Sequence, residues 1–281
     1  MKRNLTLVIF IWCFTSWAFA GESSPLPNRI VSLAPSTTEL LFALGLGDHV
    51  VAVTSYCDYP EAAKAKPKIG GMSNPSLEAV VSQKPDIVVM STDGNPQEFE
   101  ERLRSLNIRT YVFTARRLAE LPEGLREMGA ILGVEDRAET IAEEIERTFM
   151  SLRARVTSRQ GSQAHVKKVI FIVWPDPLIV AGPGTAMDDA IIMLGQRNIA
   201  EKATIAYPKY SLEEVIRQSP DVIVIGKASG MDMRAVSQGF LRRMASVPAV
   251  KNGNVCYVGD NLYRLGPRIV NGIKELAECL N

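Results

Sequence analysis

Two glutamates, Glu78 and Glu213, stand in segments that say the same thing twice. Ser76-Leu77-Glu78 is followed by Val80-Val81, Pro85-Asp86 and the apolar run Ile87 to Met90; Ser211-Leu212-Glu213 is followed by Val215-Ile216, Pro220-Asp221 and the run Val222 to Ile225, every pair 135 positions apart. A layout of two like lobes, each with an acid at the same place, can hold something between the lobes, or offer a partner two equivalent handles. Groups that could do covalent chemistry are scarce. Cys57 as a nucleophile needs an adjacent base, and the histidines are His49 and His165 alone, of which His49 opens the strand before Cys57. No Gly-x-Ser-x-Gly elbow occurs. No Cys-x-x-Cys occurs either, which argues against a zinc site of nitrogen and sulfur ligands.

Three further segments sit where chemistry would be placed. Asp93-Gly94-Asn95-Pro96 follows a strand, so Asp93 and Asn95 fall at the carboxyl end where open α/β sheets bind ligands, although the composition is equally that of a turn. Gly182-Pro183-Gly184-Thr185 precedes a helix; it lacks the lysine of a P-loop and reads first as a turn with Thr185 as cap. Trp174-Pro175-Asp176-Pro177 ends the first strand of the second half, and Trp174 either lines a cleft or packs in the core.

The elements that must position these groups alternate. Arg29 to Leu33 reads as a buried strand, and Ser36 with Glu39 has the form of a capping box opening a helix. Strands follow at Val50 to Thr54, Ile87 to Met90 and Thr110 to Phe113, with helices between them, which predicts parallel strands with helices on both faces. From Val134 to about Arg155 there is neither glycine nor proline, and Ala138, Ile141, Ala142, Ile145, Phe149 and Leu152 keep helical spacing, so a single long helix is expected. Alternation then restarts at Val169. The expected fold is α/β, two Rossmann-like lobes (28–133 and 166–281) with parallel sheets joined by one linker helix (134–158). One stiff helix resists wide closure and favours a preformed cleft.

Residues 1–20 read as a cleavable leader: Lys2 and Arg3, an apolar run, and Ala18-Phe19-Ala20 as the cleavage site. That implies export. The chain holds 32 basic and 31 acidic residues, too even a balance for nucleic acid. Past the leader, Cys57, Cys256 and Cys279 make an odd set in an oxidising compartment, most simply one pair and one thiol; Cys256 in a strand and Cys279 in the last helix could meet.

Arg29 to Glu39 together with Thr54-Ser55-Tyr56-Cys57-Asp58-Tyr59-Pro60 resembles the periplasmic cobalamin-binding proteins of ABC importers, part of the wider helical-backbone group (class III periplasmic binding proteins) that also binds ferric siderophores and haem. The similarity runs from about Arg29 to the C-terminus. It implies a soluble, monomeric periplasmic protein with no catalytic activity and no cofactor or metal of its own. Its transported ligand would be cobalamin, and its partner an ABC permease dimer with its ATPase subunits. By the same resemblance Tyr56 contacts ligand, as does the segment Asp260-Asn261-Leu262-Tyr263-Arg264 before Pro267-Arg268. Met72 and Tyr207 occupy positions where a cobalamin binder has tryptophans, a departure that reduces the aromatic sandwich. Glu78 and Glu213 match the permease-docking glutamates. The family's partner for Cys279 falls at Leu194, so a Cys256–Cys279 bond would be a replacement. The alternatives are a ferric-siderophore or haem binder of the same group, for which Tyr56 could ligate iron, and, further off, an exported α/β enzyme.

Overall fold

The computed structural model describes residues 26–159, 166–227 and 231–280; the leader expected over 1–20 and His165 lie outside them. The first lobe runs β1 (Ile30–Ser32), α1 (Pro35–Ala43), β2 (Val50–Val53), α2 (Glu61–Lys64), α3 (Leu77–Ser82), β3 (Ile87–Ser91), α4 (Gln97–Ser105), β4 (Thr110–Phe113) and α5 (Leu121–Leu132). Its sheet has the order β2-β1-β3-β4, and every pair is parallel. Strands β1 and β3 are buried along their whole length, as expected where helices cover both faces of a parallel sheet.

Helix α6 (Glu135–Arg159) is the linker, 25 residues long, or about 37 Å at 1.5 Å per residue. Its stripe Ala138, Ile141, Ala142, Ile145, Phe149 and Leu152 is buried while Met150 faces solvent, and Arg126 on α5 binds Glu139 and Glu146 of α6, at 2.8 and 2.9 Å. Gly133, at φ 73°, makes the left-handed turn between these two helices.

The second lobe runs β5 (Lys168–Pro175), β6 (Leu178–Val180), α7 (Ala186–Met193), β7 (Arg197–Asn198), α8 (Leu212–Gln218), β8 (Val222–Gly226), α9 (Met233–Arg243), α10 (Pro248–Lys251), β9 (Val255–Val258) and α11 (Ile269–Leu280). Its sheet has the order β6-β5-β8-β9, with β7 also paired to β5. The expectation of parallel strands needs one correction, because β6 is antiparallel to β5. Asp176-Pro177 leaves two residues between the strands, enough for a hairpin and far too few for a crossover. Cys256 of β9 and Cys279 of α11 are joined in a disulfide.

The duplication seen in the sequence holds at the level of single hydrogen bonds. Ser76 Oγ accepts from Ala79 N at 3.2 Å, and Ser211 Oγ accepts from Glu214 N at 3.1 Å, so α3 and α8 start alike. Just past each helix a non-glycine residue is left-handed, Lys84 at φ 47° and Ser219 at φ 49°. Asp86 Oδ2 accepts from Arg29 N at 2.9 Å, and Asp221 Oδ2 from Lys168 N at 2.8 Å. The Arg29 and Lys168 side chains then donate to the last-turn carbonyls of Gln83 and Gln218, at 2.8 and 2.7 Å. Each cation meets the negative end of a helix, and each such unit fixes the helix bearing Glu78 or Glu213 to its own sheet.

Candidate ligand cleft and docking surface

The loop after β2 is pinned from below. Cys57 is a buried free thiol, its Sγ 3.1 Å from both Thr38 Oγ1 and Thr54 Oγ1. Drawing Cys57 inward turns its neighbours outward: Tyr56 is 63% exposed, and Asp58 reaches the second lobe, its Oδ1 accepting from Arg264 Nη1 at 2.6 Å.

Arg264 is the hub of a clasp between the lobes. It also binds Glu39 at 2.9 Å and Asp260 at 3.0 Å. Glu39 takes a second arginine, Arg268, whose Nε donates to Oε2 at 2.7 Å. The Arg268 guanidinium in turn lies over the Tyr59 ring, 3.9 Å from its centroid. Three carboxylates thus face two guanidiniums. Burial disfavours the Arg264 charge, but the hydrogen bonds to Asp58 and Glu39 more than offset this and hold the group above its already high pKa. This corrects the capping-box reading of Glu39. Pro35 occupies the first turn, Ala34 is the N-cap with no side-chain bond, and Glu39 is buried with its charge used by the arginines.

A second tie joins the lobes elsewhere. Arg117, before α5, donates from Nε to both carboxylate oxygens of Asp189 on α7, at 3.1 and 3.2 Å, and Leu118 N donates to Asp189 Oδ2 at 2.9 Å.

Between the lobes a narrow cavity of about 30 Å³ is walled by Ser36, Asp93, Arg116, Met187, Tyr207 and Tyr263, among others. Burial and the nearby Asp93 carboxylate push the Tyr207 phenol up to about 12, with Arg116 working the other way. From this cavity a surface continues to Tyr56. Met72 lies over Gly94, where a Cβ would stand 2.3 Å from its Cε, and the Tyr56 ring is 3.7 Å from the Cβ position of Gly71. Gly94, at φ 113°, therefore serves both the turn and the seat of Met72.

The sequence-predicted residues divide accordingly. Tyr56, Met72, Asp93 and Tyr207 share this surface, with Asp260 and Arg264 in the clasp alongside. Leu262 is fully buried in the core, because the short turn Asp260–Leu262 points it inward, so its side chain offers nothing to a ligand. Tyr263 packs edge-on against Phe171 at 5.6 Å and over Gly226, where any Cβ would collide with it; its buried phenol is raised in pKa and closes the cavity floor. Asn261 Nδ2 donates to Glu275 at 3.0 Å. Asn95 spends its amide on the backbone, accepting from Ser91 N and donating to Leu33 O and Met72 O, each at 2.8 Å, and so braces the cleft wall. Trp174 packs with Tyr210 and Leu212 against the second-lobe core and donates to Asp176 O at 2.8 Å; it does not line the cavity. Thr185 caps α7, accepting from Asp188 N at 3.1 Å. Sequence reasoning missed Glu39, Asp58, Arg116 and Arg268 as functional residues. Their partners lie up to 229 positions away, beyond any local pattern.

Glu78 and Glu213 are exposed and form no ion pair among the described residues, whereas Glu214 beside the latter is bonded to Arg217 at 2.9 Å. The Glu213 carboxyl is held below the usual range by its own backbone N–H and by Ser211.

Residues 30–262 match the periplasmic binding protein family. The chain belongs to that family. Its fold is that of the class III periplasmic binding proteins, two α/β lobes on one long helix. The vitamin B12-binding protein of Pectobacterium atrosepticum is 27% identical to this family member over 271 residues, 96% of this chain and 95% of that one. That of Yersinia pseudotuberculosis is 29% identical over 273 residues, covering 97% and 91%. Among solved structures, the periplasmic vitamin B12 binding protein of Vibrio cholerae matches at TM-score 0.77 and 26% identity, covering 90% and 96% of the two chains. A periplasmic haem-binding protein of Pseudomonas aeruginosa matches at TM-score 0.81 and 27% identity, covering 90% and 92%. Family membership makes this a binding protein of the periplasm, and no helix among the described residues is long and apolar enough to cross a membrane.

Proposed function

We propose that this periplasmic binding protein captures cobalamin or a related corrinoid between its lobes and delivers it to an ABC permease dimer driven by ATPase subunits. The observation that carries the reading is the exposed Tyr56 ring, set on a loop locked to the second lobe through Asp58 and Arg264. A corrin has flat apolar faces and a rim of amides. Tyr56, Met72 and Tyr207 offer the first kind of contact, and Asp93, Arg116 and Asp260 the second. Whole-length likeness to vitamin B12-binding proteins supports the same cargo. Because the enclosed cavity is small and the lobes are tied at two places, the macrocycle rests at the mouth over Tyr56 with much of its surface in water.

A second reading is haem in the same cleft. The haem-binding structure of Pseudomonas aeruginosa shares the fold, and an exposed phenol such as Tyr56 is an established type of haem ligand. Calorimetric titration of the mature protein separates the two. Saturable one-to-one binding of cyanocobalamin at micromolar affinity or tighter, with haemin and a ferric siderophore failing to compete, is the expected result. A flat cyanocobalamin titration with haemin binding would replace the first reading by the second.

A further inference from the structure

We propose that each docking helix carries a second contact for the permease, an exposed aliphatic side chain one turn after its glutamate: Val81 with Glu78, and Ile216 with Glu213. The inference rests on the delivery reading above and names what the partner must offer.

Its basis is the match between two surfaces. Over 76–83 and 211–218 the exposure of successive residues is the same at all eight positions: exposed serine, half-buried leucine, exposed glutamate, a half-buried position, a buried valine, two exposed positions and a half-buried glutamine. Val80 and Val215 are the buried anchors. Residues three apart share a helix face, so Val81 and Ile216 stand beside the glutamates and away from the anchors. The two residues are 39% and 40% exposed.

A single exposed aliphatic residue needs no explanation. Two at equivalent places are harder to dismiss, because the same faces have diverged elsewhere. Ala79 is matched by Glu214, and Ser82 by Arg217; Glu214 and Arg217 pair with each other, leaving Glu213 unpaired beside Ile216. What the two faces keep in common is one exposed carboxylate outside any ion pair among the described residues and one β-branched apolar group. That combination fits a two-fold dimer in which each subunit presents a cation at the edge of an apolar depression. The carboxylate sets orientation, since exposed ion pairs contribute little. Affinity comes from removing the aliphatic group from water, as at the cores of other interfaces.

The test measures affinity of the ligand-loaded protein for its purified importer in nanodiscs. Val81→Ser/Ile216→Ser is expected to weaken binding at least tenfold, each single change falling between, while cyanocobalamin affinity and the urea midpoint stay as in wild type. Met150→Ser, an exposed apolar residue on the linker helix α6, is expected to change nothing. Glu78→Ala/Glu213→Ala supplies the separate arm. If the glutamate variant loses binding and the serine variant stays within twofold of wild type, the aliphatic contact is refuted and delivery stands. Failure of the wild-type, ligand-loaded protein itself to bind the importer would overturn both.

Discussion

Arg264 Nη1 lies 2.9 Å from Glu39 Oε1 across the boundary between the lobes, although the two residues are 225 positions apart in the chain. Glu39 is buried at 3% exposure, whereas Asp58, which binds the same nitrogen, is partly in water. Removing one member of a buried pair strands its partner and costs roughly 3 kcal/mol or more, while an exposed pair contributes roughly 0–1 kcal/mol. Glu39→Gln should therefore lower unfolding free energy by about 3 kcal/mol in urea, and Asp58→Asn by about 1 kcal/mol or less. Equal losses in the two variants would mean that Asp58 anchors the clasp as strongly as Glu39.

Tyr56 makes the opposite kind of prediction, with function lost and stability kept. Its ring is largely in solvent and contributes little to the core, so Tyr56→Ala should leave the urea midpoint unchanged. An aromatic anchor at the centre of a binding surface is worth about 2 kcal/mol, so cyanocobalamin affinity should fall roughly thirtyfold by calorimetry. Tyr56→Phe should keep most of it if the ring face is the contact. Loss in both variants alike would mean that the phenol oxygen, and not the ring face, carries the contact.

Much of this architecture could be read from one chain, because its signals are local and periodic. The buried strands, the linker's apolar stripe and the 135-residue duplication depend on neighbours within a few positions. The cleft was less legible. Tyr56, Met72 and Tyr207 were placed by resemblance to a family, while Glu39 carried a stronger local signal, three residues after Ser36, than its true tertiary role. Pro35 at the first helical position outweighed the serine as a cap, and two arginines from the last 20 residues of the chain took the carboxylate. Asn95 and Leu262 stand among ligand-like neighbours, yet one braces backbone carbonyls and the other fills the core. Sequence type could not separate those roles, since a turn and a ligand loop have the same composition.

Tyr207 should leave a mark on the alkaline stability profile. Its folded-state pKa of about 12 lies above the value near 10 of an unfolded tyrosine, so the folded state holds the proton more tightly. The unfolded state binds fewer protons between these values, and stability falls as pH rises from about 10 to 12. The contribution is fully present below pH 10. Tyr207→Phe should flatten the slope of urea midpoint against pH in that window. It should also remove one high-pH component from the absorbance titration near 295 nm. A slope unchanged by the substitution would show that other groups carry the alkaline loss.

The three cysteines past the leader should behave as one bond and one sheltered thiol. The Cys256–Cys279 bond spans 23 residues, and closing a loop of that size in the unfolded chain is worth about 3 kcal/mol on the chain-entropy account. Cys256→Ala/Cys279→Ala should lower unfolding free energy by about that amount and leave ligand affinity intact, since the bond ties β9 to α11 behind Asp260 without entering the cleft. Cys57, buried between two threonine hydroxyls, should react with a thiol reagent only at the rate of unfolding. Fast labelling of Cys57 in the native protein would mean that the Tyr56 loop opens on its own, and the clasp through Asp58 and Arg264 would then be too weak to preform the site.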